Sequence, residues 1–305
     1  MSKAKWHDSS FWIPILIIIG LAMPIINIPQ EASGISVVIV SDKSSDNPDY
    51  SSITAAIIGE DPGTYIDVYY GEDGYYYENI NIDKLMNIYG NGDVTIVGND
   101  AEPAVTISAD GSQFHDIDVL ITSEEEKIQP GIKIDAEGCS VYDVSVMSCY
   151  IGIELVGYKH GNTIEDNVLN YNDYAGIVGF FSDDNVIKYN DIRHNGVYGI
   201  ELDRCDDTNI HNNYFKDNND NYAVYLEDCV DNEIYYNNFE GNRDSTQPSC
   251  QARDNNTNDA NHWDDGTDDG GNYWDDNLQA DPYDIDGGNS EDNERNANHF
   301  EAGPR

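Results

Sequence analysis

Gly199-Ile200-Glu201-Leu202-Asp203, followed by Ile210-His211-Asn212-Asn213-Tyr214-Phe215, is one copy of a unit that returns about every 23 residues. Four copies run Ile151–Tyr174, Ala175–Tyr198, Gly199–Tyr222 and Ala223–Asn242. Each opens on a small residue and an alternating apolar pair, as in Gly152-Ile153-Glu154-Leu155 and Ala223-Val224-Tyr225-Leu226. A second apolar position follows at Ile164, Ile187, Ile210 and Ile234, then an asparagine at Asn167, Asn190, Asn213 and Asn237. Two residues on stands Leu169, Ile192, Phe215 or Phe239. Alternation of this kind reads as short strands, and Asn, Asp and Gly punctuate them. No unit is long enough to bury its own apolar face, so neighbours must stack as coils of a parallel β-solenoid.

Stacked coils lie about 4.8 Å apart, so equal positions sit above one another. The asparagines then form a row, with a second row at Asn172, Asn195, Asn218 and Asn242. Asn is expected to take the left-handed bend itself and to bond the coils above and below through its amide. The units N-x-I-x-x-N-x-[IF] and G-I-x-L resemble the right-handed parallel β-helix of the pectin-lyase-like superfamily, and within it the secreted NosD-like repeat proteins. The resemblance covers roughly residues 49–290 and implies the fold; this fold hosts many activities.

The chain has 305 residues, with 58 Asp and Glu against 15 Lys and Arg, a formal charge of −43. Nucleic-acid binding needs a basic footprint and is excluded as an expectation. So acidic a chain repels itself unless salt or cations screen it. Residues 1–34 read as a signal peptide or membrane anchor: Lys3 and Lys5 precede the apolar run Phe11–Pro29. The expected divisions are therefore 1–34, a solenoid over 35–245, and a C-terminal cap with an acidic tail over 246–305. An extracellular or cell-surface location follows. Five cysteines fit an oxidising compartment. Cys205 and Cys229 hold equal positions in adjacent units, which predicts a Cys205–Cys229 disulfide, with two free thiols in contact as the alternative.

Upstream, Ser51 or Asp49 is placed to cap a short helix with Ile53, Ala56 and Ile57 on one face. The resemblance implies that this helix covers the open end of the stack. Ile80, Ile82, Ile88, Val94, Ile96, Val105, Ile107, Ile117, Val119, Ile132 and Ile134 are the expected inward residues of the less regular coils. Tyr75-Tyr76-Tyr77 must turn at least one ring outward, and Ser123–Pro130 reads as an excursion. Downstream, the run Asn261-His262-Trp263, Gly271-Asn272-Tyr273-Trp274-Asp275 and Asp281-Pro282-Tyr283 resembles the end of NosD-like proteins, which implies a cap built on Trp263, Trp274 and Tyr283.

On the first strand of each coil, Lys133, Glu154, Val178, Glu201 and Tyr225 form one outward row. Asp135, Val156, Phe180, Asp203 and Glu227 form the next. In the related polysaccharide enzymes this face is the substrate groove. Glu201 and Asp203 share a face about 7 Å apart, a spacing suited to the acid and base of a glycosidase; with Arg204 as base and a cation between them they would suit a lyase. Arg193 and His194 lie in or beside the same coils. The alternative is an acidic solvated surface. Phe180, Tyr225 and Glu227 are the expected carbohydrate contacts. Copper has little support in the sequence, because the His and Met residues are scattered. Asp264, Asp265, Asp268, Asp269, Asp275 and Asp276 offer hard oxygen ligands for Ca²⁺. The expected role is binding or structural at the cell envelope, with a polysaccharide as partner and self-association open. A polysaccharide lyase, epimerase or hydrolase, or a NosD-like maturation factor, is the alternative.

Overall fold

The corners, more than the strands, set the shape of the molecule. The computed structural model describes residues 36–123, 125–218, 222–242, 251–255, 261–264 and 271–275, with the backbone of 283–284 and 291–292. Residues 35–305 form one unit. Its chain winds as a parallel β-solenoid of about seven turns, and each full coil contributes one strand to each of three parallel sheets. The first sheet has eight strands, among them Pro130–Ile134, Ile151–Leu155, Ala175–Phe180, Tyr198–Asp203, Val224–Glu227 and Ala252–Asn255. The second and third have nine each. Register is uniform: Ile164 pairs with Ile187, Ile187 with Ile210, and Ile210 with Ile234. The parallel pairing continues past residue 245, because Ala252–Asn255 joins the first sheet and Tyr273–Trp274 joins the third.

Uniform register turns the repeat into columns of like side chains. Ile164, Ile187, Ile210 and Ile234 are fully buried, as are all the inward residues expected of the earlier coils. Phe215, Phe239 and Trp274 stack as one aromatic column, with centroids 5.0 and 4.1 Å apart. Trp263 and Trp274 are buried in the same core. The helix Ile53–Gly59 buries Ile53, Ala56 and Ile57 as expected. Its cap is Ser52, whose side chain accepts the Ala55 N–H, and not Ser51 or Asp49. Tyr76 is buried, while Tyr75 and Tyr77 both face solvent.

The left-handed bend is not made by the asparagines. It is made by the residue before each: Asp166, Tyr189, Asn212 and Tyr236 in the first row, and Tyr171, His194, Asp217 and Gly241 in the second. Each asparagine then points inward, fully buried. Asn190 Oδ1 accepts both the backbone N–H and the Nδ2–H of Asn167, at 3.0 Å each. Asn190 Nδ2 donates to Ile164 O and to Asn213 Oδ1. The pattern repeats through Asn213 and Asn237 to Asn272, and in the second row through Asn195, Asn218 and Asn242 to Gln251. A third row includes Asn162, Asn185, Asn232 and Asn261. Buried backbone donors at a corner have no strand partner, so a side-chain oxygen from the next coil is what satisfies them.

The cysteines occupy the same kind of place. Cys139, Cys149, Cys205 and Cys229 each follow a left-handed residue, namely Gly138, Ser148, Arg204 and Asp228. All four are buried free thiols, so the expected Cys205–Cys229 disulfide is not present. Instead the Cys205 N–H donates to Cys229 Sγ at 3.3 Å, and the Ser182 N–H to Cys205 Sγ at 3.5 Å. Sulfur here serves as the corner acceptor that oxygen supplies elsewhere. Cys250 and the segment Phe11–Pro29 lie outside the described residues. Among the described residues, no helix is long and apolar enough to cross a membrane.

Replacing Asn190 or Asn213 with Ala strands a buried N–H and a buried carbonyl, at about 1–3 kcal/mol for each group. Asn209→Ala, whose side chain lies on the outer surface and donates to Glu233, should cost far less. Thermal melts of the three variants check this; equal shifts would remove the corner amides from the account of stability.

Candidate functional site

The outer face of the first sheet gathers the sequence-nominated residues because register places them in rows. Glu154 stands beside Val178, Val178 beside Glu201, Glu201 beside Tyr225, and Tyr225 beside Arg253. In the next row Phe180 pairs with Asp203, Asp203 with Glu227, and Glu227 with Asn255. Glu201, Asp203, Phe180, Tyr225 and Glu227 therefore do come together on one surface. Arg204 sits around the corner in a left-handed conformation. It pairs with Asp203 at 3.4 Å and Asp228 at 3.6 Å, and its guanidinium lies over the Phe181 ring at 4.9 Å. Arg193 and His194 do not join them. Arg193 belongs to the third sheet, paired with Asp191, and His194 stacks on Tyr171 at the following corner.

Two aromatic margins flank the rows. On one side Tyr150 stacks on Tyr174 at 5.3 Å and Tyr198 on Tyr225 at 5.2 Å, while Tyr174 and Tyr198 meet edge to face at 5.8 Å. Ile151, Ala175 and Val178 bury themselves under these rings, a small apolar cluster outside the barrel. On the other side Tyr158 stacks on Phe181 at 5.4 Å, with Tyr158 72% and neighbouring Phe180 38% exposed. The tyrosine margin escaped the sequence reading, although Tyr150, Tyr174, Tyr198 and Tyr222 recur at a constant spacing of 24. Its signal was present as the last residue of three successive units.

The carboxylates between the margins have different environments. Burial pushes the Glu201 carboxyl above the usual range, opposed by the Tyr174 hydroxyl that donates to it at 2.7 Å; Asp203 and Glu227 push it further up. Burial also raises Glu154, opposed by Lys133. Glu227 is instead held below the usual range, first by the Tyr225 hydroxyl and then by the Asn255 amide, which donates at 2.9 Å. A proton-retaining and a proton-releasing carboxyl thus lie on neighbouring strands, the relation acid–base chemistry uses.

Of the expected Ca²⁺ ligands, Asp264 and Asp275 are among the described residues. Asp265, Asp268, Asp269 and Asp276 lie outside the described residues. Asp275 Oδ1 is used structurally, accepting from Gln251 Nε2 at 2.8 Å and from the Gly241 N–H at 3.3 Å. Asp264 follows the buried Trp263.

A parallel β-helix with its tyrosine-flanked acidic face on the first sheet is the class of protein defined here. The family described as periplasmic copper-binding protein (NosD) matches residues 63–278, and the chain belongs to that family. No curated protein matches it. Among solved structures, a pectin methylesterase in complex with a hexasaccharide is similar at 15% identity and a TM-score of 0.42, covering 68% of this chain and 67% of that one. A pectate lyase is similar at 13% identity and a TM-score of 0.40, covering 63% and 75%. The copper in the family description does not fit the described residues. No three His, Cys, Asp or Glu side chains among them come together to hold a metal. Burial raises the Cys149, Cys205 and Cys229 thiols to about 12 and Cys139 to about 11, so none is a ready thiolate.

Because Glu154 holds its proton more tightly folded than unfolded, it costs stability as pH rises from the ordinary carboxylate range through its raised pKa. Glu154→Gln should therefore raise the melting temperature at about pH 8, and the advantage should vanish below about pH 3, where both states are protonated. Melting curves of both proteins across that range check the sign.

Proposed function

We propose that this protein is an exported envelope protein that binds an extended glycan along the outer face of the first sheet. The observation that carries this is the pair of aromatic margins, Tyr150-Tyr174-Tyr198-Tyr225 and Tyr158-Phe180-Phe181, bordering a row of hydrogen-bonding carboxylates. Sugar rings present apolar faces and a rim of hydroxyls, which aromatic rings and carboxylates complement. The periplasmic description of the family supports an exported location. Affinity electrophoresis against a panel of soluble polysaccharides tests the role. Retardation by at least one glycan, reduced in Phe180→Ala and Tyr198→Ala without loss of folding, is the expected result. No retardation by any member of the panel would reject it.

A hydrolytic role is the second reading, favoured by the opposite displacement of Glu201 and Glu227. Glu201 then serves as the proton donor and Glu227 as the ionised partner. The same panel assayed for new reducing ends decides between them: turnover abolished in Glu201→Gln supports the enzyme, and intact glycans throughout leave the binding role.

Ca²⁺ stabilisation belongs to the same proposal and rests on the charge of −43 and the aspartates of the C-terminal region. A ligand held only by the folded state adds about 2.7 kcal/mol at a hundred times its dissociation constant. CaCl₂ should raise the melting temperature beyond NaCl of matched ionic strength; equal effects would mean screening alone.

A further inference from the structure

If the first-sheet face holds a glycan, its charge restricts which one. Four successive strands, Ile151–Leu155, Ala175–Phe180, Tyr198–Asp203 and Val224–Glu227, contain no Lys or Arg. Their outward positions carry Glu154, Glu201, Asp203 and Glu227. The cations near this face lie at its edges. Lys133 stands one coil before, opposite Glu154, and Arg253 one coil after, opposite Tyr225. Arg204 is engaged at the corner by Asp203 and Asp228.

A uronic-acid polymer would bring one carboxylate per sugar against this floor, on a chain of formal charge −43. Juxtaposed like charges oppose such a complex directly. A neutral glycan escapes that repulsion, but covering the floor would take water from carboxylates and leave their remaining oxygens unpaired. Asp203 Oδ1 is already buried and accepts no hydrogen bond, with only its ion-pair contact to Arg204 Nη1 at 3.4 Å. An ammonium group offers three donors and a compensating charge.

We propose that the first-sheet face binds a glycan built from amino sugars, its ammonium groups held by Glu201, Asp203 and Glu227 and its rings set between the two aromatic margins. This rests on the glycan-binding role proposed above and adds the ligand class. Charge complementarity carries it: the aromatic margins accept any pyranose, and the carboxylate rows select a cationic one.

Isothermal titration of the full chain at physiological salt tests it with four probes: fully deacetylated chitohexaose, its N-acetylated counterpart, a galacturonic acid hexamer and a hexalysine peptide. Any polycation is drawn to a protein this acidic, so the comparisons carry the result. The deacetylated hexamer should bind at least about tenfold tighter than each other probe, and Glu201→Gln/Glu227→Gln should remove about that factor. Asp184→Asn/Asp207→Asn/Asp231→Asn takes three charges from exposed corner positions away from this face and should change affinity less than about twofold. Equal binding of the acetylated hexamer, tighter binding of the uronate, equal binding of hexalysine, or an equal loss in the corner variant would each overturn the amino-sugar assignment. If the acetylated hexamer binds equally and Phe180→Ala weakens it, the glycan-binding role stands while this inference falls. If no saccharide binds, both fall. A cooperative melting transition well above the titration temperature in each variant assigns its loss of affinity to the face.

Discussion

The structure depends on one hydrogen bond repeated at the corners of the regular coils: the backbone N–H of a buried residue donating to a side-chain acceptor one coil further on. A solenoid must turn the chain three times per coil without leaving main-chain groups dry and unpaired. A left-handed residue makes the turn, and the residue after it points an amide or a thiol inward to receive the previous coil. Since the acceptor lies at the same position in every unit, it locks the register, and register lines up everything else. The bulky residues held in the left-handed region, Tyr171, Phe181 and His194 among them, recover part of that strain by stacking on one another outside.

Fixed register also decides the chemistry of the surface. Like charges directly opposite on neighbouring strands destabilise a sheet, and the row Glu154-Val178-Glu201-Tyr225 keeps its carboxylates apart by alternating them with neutral residues. Asp203 beside Glu227 breaks that rule. There Arg204, Tyr225 and Asn255 converge to compensate. A place where the stacking rule is broken and then repaired by surrounding donors is where function is most naturally sought.

The fold was legible because its signal is periodic. Columns such as Ile164, Ile187, Ile210 and Ile234 and rows such as Asn167, Asn190 and Asn213 are spacings, and spacings survive in one dimension. What bends the chain was less legible. The asparagines were so regular that they drew the role of corner residue, which belongs to their varied predecessors Asp166, Tyr189, Asn212 and Tyr236. The thiols misled for a related reason. Equal positions guarantee proximity, and proximity fits a bond, but a buried N–H also lies within reach and Cys229 sulfur serves it. At the candidate site, composition named Glu201, Asp203 and Glu227. It did not show that hydroxyls hold two of them: Tyr174 reaches Glu201 across neighbouring coils, and Tyr225 donates to Glu227 two residues along its own strand. The separation of Arg193 and His194 from the acidic face likewise follows from which sheet each strand joins, a fact of winding and not of sequence distance.

The inward bonds of the asparagine rows all point the same way, each backbone N–H donating to the coil that follows. The first row begins on Val144, which needs no special side chain, and ends on Asn272, which does; the second runs from Cys149 to Gln251. Every coil is therefore finished by its successor. A chain that emerges from its N-terminal end always carries one newest turn whose corner donors wait for the next. On that order assembly lags by a single turn; the last donor of the second row, Asn242, is met by Gln251, and the first row runs on to Asn272.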